Sequence, residues 1–359
     1  MRLSCDLFCR VVDNLGDAGV CWRLARQLAG EHDWAMRLWI DDPTPLAGLR
    51  PGIDPLVVRQ TVDGVEIQPW PVEFPGATPG DVVIEAFACE LPSSFLAAMT
   101  ARGQPSVWLN LEYLSAEDWV VGCHGLPSPH PTLGLTKYFF FPGFAAGTGG
   151  LIRESALPAP VPRDAGRELA VSLFCYDNPA LPRLLDAWAA GSEPIICRVA
   201  DGLPRQQVER WLVERFPSGA QVPRGNLTLE ALPFLAQIDY DRLLAASDLN
   251  FVRGEDSFVR AQWAGHAFVW QVYPQSEGAH WPKLEAFLGR YRRALPETAR
   301  QALATFWRAW NGQGDIAAAW PGFRAIVPAL QAHGAPWAAE IAKPGNLAEN
   351  LVRFCRERI

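Results

Sequence analysis

Phe251–Gln275, FVRGEDSFVRAQWAGHAFVWQVYPQ, leaves an apolar run, breaks at Gly254, turns helical and returns to an apolar run. Leu249 to Val252 reads as a strand, Ser257 to Trp263 has helical spacing, and after Gly265 the run Ala267 to Tyr273 reads as the next strand. This order puts the turn at the carboxyl edge of a parallel sheet, where α/β proteins bind ligands. Arg253, Glu255, Asp256 and Ser257 sit in that turn. With the N–H groups that open the helix, Arg253 suits a phosphate or pyrophosphate. Two readings of the neighbouring acids stay open. They hold sugar hydroxyls or a cationic second substrate, or Asp256 or Ser257 caps the helix and Glu255 favours its dipole.

Working outward, 359 residues are enough for two domains with full cores. No apolar run approaches the roughly 20 residues of a membrane span. Asp6 and Arg10 interrupt what would be the apolar core of a signal peptide, so a cytoplasmic location is expected. Eight cysteines are scattered without a CxxC, the usage of reduced buried thiols and not of a disulfide framework or zinc site. A net charge of −7 with dispersed acids argues against a nucleic-acid footprint but suits a basic protein partner. Fifteen tryptophans are many; most are expected in the core, and a surplus of aromatics also suits sugar and base stacking.

From the N-terminus, Leu3 to Val12 reads as a strand and Asp17 to Leu28 as a helix, with Val20, Leu24 and Leu28 at helical spacing. Strands follow at Ala35–Ile40, Val65–Trp70, Asp81–Phe87, Ser106–Leu111 and Lys137–Phe141, with a helix at Pro92–Arg102. The pattern stops in the Gly- and Pro-rich stretch from Gly147 to Arg167. It restarts as strand Leu169–Tyr176, helix Pro179–Ala190, strand Pro194–Val199, helix Leu203–Arg215, strand Asn226–Leu232 and helix Tyr240–Ala246. The expected fold is α/β, two Rossmann-like doubly wound domains facing across a cleft, the GT-B arrangement. Its parts are a first domain at 1–150, a linker at 151–166, a second domain at 167–340, and a last helix within 341–359 that packs back on the first domain.

The turn Asp13-Asn14-Leu15-Gly16-Asp17 also follows a strand. It lacks GxGxxG and carries acids where a phosphate would approach. Two carboxylates four apart at a helix start would bind a cation or abstract a proton, or would cap the helix. Asp239-Tyr240-Asp241 matches the DxD of metal-using glycosyltransferases, but it sits where a helix starts and is read as capping. No histidine has a partner at metal-ligand spacing, so no metal or other cofactor is expected. Phe174 and Tyr176 end one strand, while Phe234, Tyr240 and Tyr273 lie near other carboxyl edges of the same half.

VVDNLGDAGVCWRLARQL near the start, VSLFCY opening the second half, and FVRGEDSFVRAQWAG followed by FVWQVYPQ resemble the protein-arginine rhamnosyltransferases of elongation factor P. The resemblance covers nearly the whole chain. It implies a bacterial, cytoplasmic, metal-independent GT-B enzyme. Such an enzyme moves rhamnose from dTDP-β-L-rhamnose, with inversion, to one arginine of elongation factor P, without nucleic acid or membrane. Residue by residue it implies catalytic Asp13, Asp17 and Glu255, with Asp13 the general base. Arg253, Asp256 and Ser257 would hold the nucleotide, with Gln237 and Tyr273 close by and Asn14 and Gly16 of the first turn also at the donor. The thymine clamp matches Phe174, with Tyr176, Phe234 and Tyr240 as further candidates. Two other readings predict different outcomes. A GT-B enzyme with another donor or a small acceptor would not bind elongation factor P, and a non-catalytic nucleotide-binding protein would keep Asp13 and Asp17 only as caps.

Overall fold

The computed structural model describes residues 2–13, 15–74, 76–161 and 168–359. Two compact units result, Met1–Ser155 together with Ile341–Ile359, and Ala156–Glu340.

The first unit contains β1 (Ser4–Cys9), β2 (Ala35–Ile40), β3 (Gln60–Val62), β4 (Val65–Pro69), β5 (Val82–Ala86), β6 (Val107–Leu111), β7 (Pro127–Pro129) and β8 (Thr136–Phe140). Its first helices are α1 (Leu15–His32), α2 (Thr44–Leu49), α3 (Ser93–Ala101) and α4 (Val120–Cys123). The sheet order is β3-β4-β2-β1-β5-β6-β8-β7. Only the edge pairs β3–β4 and β7–β8 are antiparallel. The parallel strands therefore follow the doubly wound order, which reverses direction between β1 and β5. Phe8, near the end of β1, sits among Trp39, Phe74 and Phe95 in a buried aromatic cluster. Each such ring adds about 1.5–3 kcal/mol by leaving water. Strand β1 is shorter than its apolar run. Its partner β2 ends at Ile40 opposite Cys9, and the Val11 N–H turns to the Asp41 carboxylate.

The second unit contains β9 (Leu169–Leu173), β10 (Ile195–Val199), β11 (Gln221–Arg224), β12 (Leu227–Ala231), β13 (Leu249–Arg253) and β14 (Ala267–Gln271). Its helices are α5 (Leu181–Ala190), α6 (Leu203–Leu212), α7 (Gln237–Ala245), α8 (Asp256–Trp263), α9 (His280–Tyr291), α10 (Glu297–Trp310) and α11 (Ile316–Ile341). The order β11-β12-β10-β9-β13-β14 reverses between β9 and β13. Strand β9 stops at Leu173, short of the expected Tyr176, because the Tyr176 N–H is taken by the Gln271 side chain. Helix α6 stops at Leu212, where Val213 turns left-handed at φ +58°. Helix α7 starts three residues before the expected Tyr240.

The last helix, α12 (Leu347–Arg356), is capped by Asn346, whose side chain accepts the Ala348 N–H. Its Phe354 packs edge-on against Tyr138 and Phe140 of β8. The Gly-rich stretch before Ser155 is held on this helix, since Asn350 donates to the Gly149 carbonyl and Leu151 bridges to Asn346. Residues 162–166 of the expected linker lie outside the described residues. All eight cysteines are free thiols, and only Cys123 is not fully buried. No helix among the described residues is long and apolar enough to cross a membrane.

Helix α11 comes close enough to the turn between α8 and β14 that a Cβ on Gly334 would meet the Gly265 carbonyl oxygen at 1.9 Å. Gly265 is itself left-handed at φ +70°, the usual stop for a helix such as α8. Neither backbone can yield without moving an element. Gly334→Ala is expected to lose about 1–3 kcal/mol of stability by overpacking, measured by urea unfolding; an unchanged midpoint would mean that the helix gives way freely.

Candidate active site

Asp13, Asp17, Phe174, Tyr176 and Arg253, all singled out in the sequence, lie at the two places where the sheets reverse direction. In the second unit Arg253 ends β13, and Phe174 and Tyr176 follow β9, its neighbour across the reversal. The Arg253 guanidinium lies 4.6 Å from the ring centre of Phe174 and 4.6 Å from that of Tyr176. Tyr176 meets Tyr273 edge-on at 5.2 Å, and Phe174 meets Tyr240 edge-on at 5.6 Å. Cation–π contact on two rings holds the guanidinium charge in one place at the strand end. Phe234, 44% exposed on the segment between β12 and α7, has no ring contact with this group.

The turn itself is tightly tied. Gly254 is left-handed at φ +61°, which a side chain would resist. Its carbonyl accepts from Trp270 Nε1 at 2.9 Å, and the Trp270 ring stacks on Phe258 of α8. Ser257 does not cap α8. Its hydroxyl donates to the Arg253 carbonyl and accepts the Arg253 N–H at 3.2 Å, locking the strand end to the helix start. Asp256 accepts from Gln237 Nε2 at 3.3 Å, which links the first turns of α7 and α8. Glu255 occupies the N-cap position without a side-chain cap bond. As at every helix start, the first N–H groups of α8 have no acceptor in their own helix. Burial pushes the Tyr240 phenol well above its ordinary pKa, and it remains a neutral hydroxyl.

Asp239-Tyr240-Asp241 is not a cap. Asp239 pairs with Arg242 on the surface at 2.8 Å. Asp241 lies inside, where Arg260 of α8 grips both carboxylate oxygens at 3.1 and 2.8 Å. Both side chains are nearly fully buried. Sequence reading missed this pair because its members lie 19 residues apart on different helices. It fixes α7, which carries Gln237 and Tyr240, against α8, which carries the phosphate turn.

In the first unit the turn after β1 holds the other acids. Asn14 lies outside the described residues. The Asp17 carboxylate, in the first turn of α1, reaches back and takes the N–H groups of Val12 and Asp13 at 2.9 and 2.8 Å. It therefore stiffens the turn that presents Asp13. Gly16 makes room for this, because a Cβ there would come within 2.6 Å of Asp13 Oδ2. Asp17 is only 3% exposed, and burial raises its pKa above the usual carboxylate range. The two N–H groups and the Tyr113 hydroxyl act in the opposite direction, while Asp13 adds repulsion. Tyr113 follows β6, at the same edge as the other turns, and that position was its signal in the sequence.

Removing one partner of the Asp241–Arg260 pair would strip a buried charge of its two-pronged contact. Asp241→Ala is expected to cost about 3–5 kcal/mol in chemical unfolding. A loss below 1 kcal/mol would show that water reaches Arg260 and that the pair does not anchor α8.

The chain matches, over residues 5–356, the family described as "Elongation-Factor P (EF-P) rhamnosyltransferase EarP". It is 48% identical over 380 aligned positions to a protein-arginine rhamnosyltransferase of Pseudomonas putida, covering all of both chains. It is 47% identical to one of Pseudomonas aeruginosa, covering 98% of each chain. The solved structure described as "Structural basis for EarP-mediated arginine glycosylation of translation elongation factor EF-P" superposes with a TM-score of 0.68 at 33% identity, all of both chains being covered. Acinetobacter baumannii MurG, at 12% identity and a TM-score of 0.51 over 99% of this chain and 100% of its own, shares the fold alone. With its two doubly wound sheets, its length matched end to end and both acidic turns in place, the chain belongs to the EarP family of elongation factor P rhamnosyltransferases.

Proposed function

We propose that this enzyme carries rhamnose from dTDP-β-L-rhamnose to an arginine side chain of elongation factor P, in one displacement that inverts the anomeric carbon. Family membership supports the sugar and the acceptor protein. The dTDP donor, the inversion and the residue roles are our reading of the site. The observation that carries it is Arg253, held by two aromatic rings beside the first turn of α8. A fixed cation at a helix N-terminus is the arrangement a diphosphate leaving group requires.

The chemistry follows from the acceptor. A guanidinium, with a pKa of about 12.5–13.8, has a delocalised lone pair and attacks poorly until its plane is oriented and a proton is removed. In our assignment one guanidine nitrogen forms a bond to the anomeric carbon as the bond from that carbon to the diphosphate oxygen breaks. The nitrogen's proton passes to Asp13, and dTDP leaves with its added negative charge facing Arg253 and the start of α8. Asp17 and Glu255 orient and polarise the guanidinium. The thymine lies on Phe174, with Tyr176 and Tyr240 as its neighbours. Gln237, Asp256, Ser257 and Tyr273 shape the rest of the donor site, with Asn14 and Gly16 assigned to the donor from the first turn. Phe234, exposed between β12 and α7, is assigned to the outer part of this set. No metal enters this scheme, because Arg253 and the helix carry the charge compensation.

Calorimetric titration tests the donor half. With excess chelator present, dTDP should bind the wild type, and Arg253→Ala should raise its Kd at least tenfold, as loss of a charge-assisted contact of about 1.5–3 kcal/mol requires. Phe174→Ala should weaken it by about 1–3 kcal/mol through lost stacking. Binding abolished by the chelator, or untouched by Arg253→Ala, contradicts the assignment. The acceptor half is tested by Asp13→Asn, which keeps the size and most hydrogen bonds but removes the proton acceptor. Single-turnover rhamnosylation should slow by roughly 10²-fold or more, with dTDP affinity and Tm unchanged. Near-normal turnover would reduce Asp13 to a helix cap.

A further inference from the structure

Across the reversal from Asp13, the chain leaving β5 runs Phe87, Ala88, Cys89, Glu90. Phe87, Ala88 and Glu90 have φ of +57°, +54° and +53°. This is backbone territory that side chains resist, and it persists only where the surroundings over-determine it. Here they do. Phe87 donates its N–H to the Leu111 carbonyl at 2.7 Å, Ala88 to Asn110 Oδ1 at 3.0 Å, and Leu91 to Glu85 Oε1 at 3.2 Å. Glu85 is buried and is held in turn by Lys137 at 2.8 Å. Cys89, between the strained residues, and Leu91, just after them, are sunk in the aromatic core of the unit. This strain places the Phe87 ring flat against Tyr113, with centroids 4.3 Å apart and planes 15° from parallel. Tyr113, 44% exposed at its other surfaces, reaches the Asp17 carboxylate with its hydroxyl.

We propose that Tyr113, seated on Phe87 by this strained turn, is a positioning residue for the reaction: it fixes the Asp17 carboxylate, and through Asp17 the turn that presents Asp13. The inference rests on the roles proposed above for the two aspartates. The support is continuous. The turn after β5 holds Phe87, Phe87 holds the Tyr113 ring, the Tyr113 hydroxyl holds one side of Asp17, and Asp17 holds the N–H groups of Val12 and Asp13. A carboxylate this buried would otherwise settle its own proton and rotamer. The groups acting on it are the Val12 and Asp13 N–H groups, the Asp13 carboxylate, the Tyr113 hydroxyl from the loop after β6, and the Cys21 thiol one turn along α1. Of these only Tyr113 lies outside the first turn and its helix. Its hydroxyl favours the charged form of Asp17, so removing it makes Asp17 take up a proton at higher pH.

The test is single-turnover rhamnosylation of elongation factor P by the full-length enzyme, as a function of pH, beside dTDP titration and thermal unfolding. Tyr113→Phe keeps the stacked ring and removes the hydroxyl. Turnover should fall about tenfold or more, the range of one lost hydrogen bond to a charge. The acid limb of the rate should move to higher pH, with dTDP affinity unchanged. Phe87→Ala and Phe87→Gly should both lose turnover, yet Phe87→Gly should melt higher than Phe87→Ala, because glycine accepts this φ without strain. Phe87→Tyr, which restores a stacking ring, should recover most of the rate. Tyr113→Phe with normal turnover and an unmoved acid limb overturns the proposal, even if the Phe87 variants fail to fold. Asp17→Asn separates the two levels. If it is inactive while Tyr113→Phe is normal, only the positioning inference fails; if it is fully active, the reading of the aspartates beneath it fails as well.

Discussion

A strand, a crossover and a parallel strand in one sheet connect with a single hand, so a sheet wound outward in both directions has one place where adjacent crossovers diverge. At that place the carboxyl ends of two strands are uncovered and backbone N–H groups face solvent. Each unit of this protein has one such place, between β1 and β5 and between β9 and β13. The chemistry-bearing residues cluster there. Asp13 and Asp17 follow β1 and Phe87 follows β5, while Phe174 and Tyr176 follow β9 and Arg253 ends β13. One unit carries paired carboxylates at its reversal, after β1, and the other a guanidinium at the end of β13, beside Glu255 and Asp256. That contrast suits a reaction with a cationic acceptor and an anionic leaving group.

Neither site is held by its own residues alone. Arg253 is placed by two rings and by the Ser257 hydroxyl bridging its backbone, and α8 behind it is tied to α7 by Asp241 and Arg260. Asp13 is placed by Asp17, which is braced by Tyr113. Fixed dipoles and charges need not reorganise as the reaction proceeds, which is where most enzymatic stabilisation of developing charge originates. Strain belongs to the same economy of positions. Three left-handed side chains in four residues are tolerated after β5, where buried hydrogen bonds and the aromatic core hold them.

Much of this was legible in the sequence because it is local. RGEDS after an apolar run announces a turn at a sheet edge, and the family likeness of that run and of DNLGD leads to both acidic turns. Phe174, Tyr176, Tyr240 and Tyr273 could be named from their positions after strands, and the structure brings them together around or beside Arg253. What sequence concealed is long-range or unsignalled. Strand order depends on which crossover packs where, and the short edge strands β3, β7 and β11 lack a pattern of their own. Asp241 looked like a cap because its partner Arg260 lies on another helix. The turn after β5 was invisible since left-handed backbone is normally marked by glycine or asparagine, and here Phe87, Ala88 and Glu90 adopt it.

In the proposed reaction one displacement joins a rhamnosyl group from dTDP-β-L-rhamnose to arginine on elongation factor P. The most direct measurement mixes the three components, weighs the intact acceptor, locates the modified residue by fragmentation, and reads the anomeric configuration of the product by NMR. One deoxyhexosyl unit on a single arginine is expected, with the anomeric centre inverted to α and dTDP released in equal amount. An acceptor of unchanged mass, modification at lysine, or a product that retains the β configuration would contradict it.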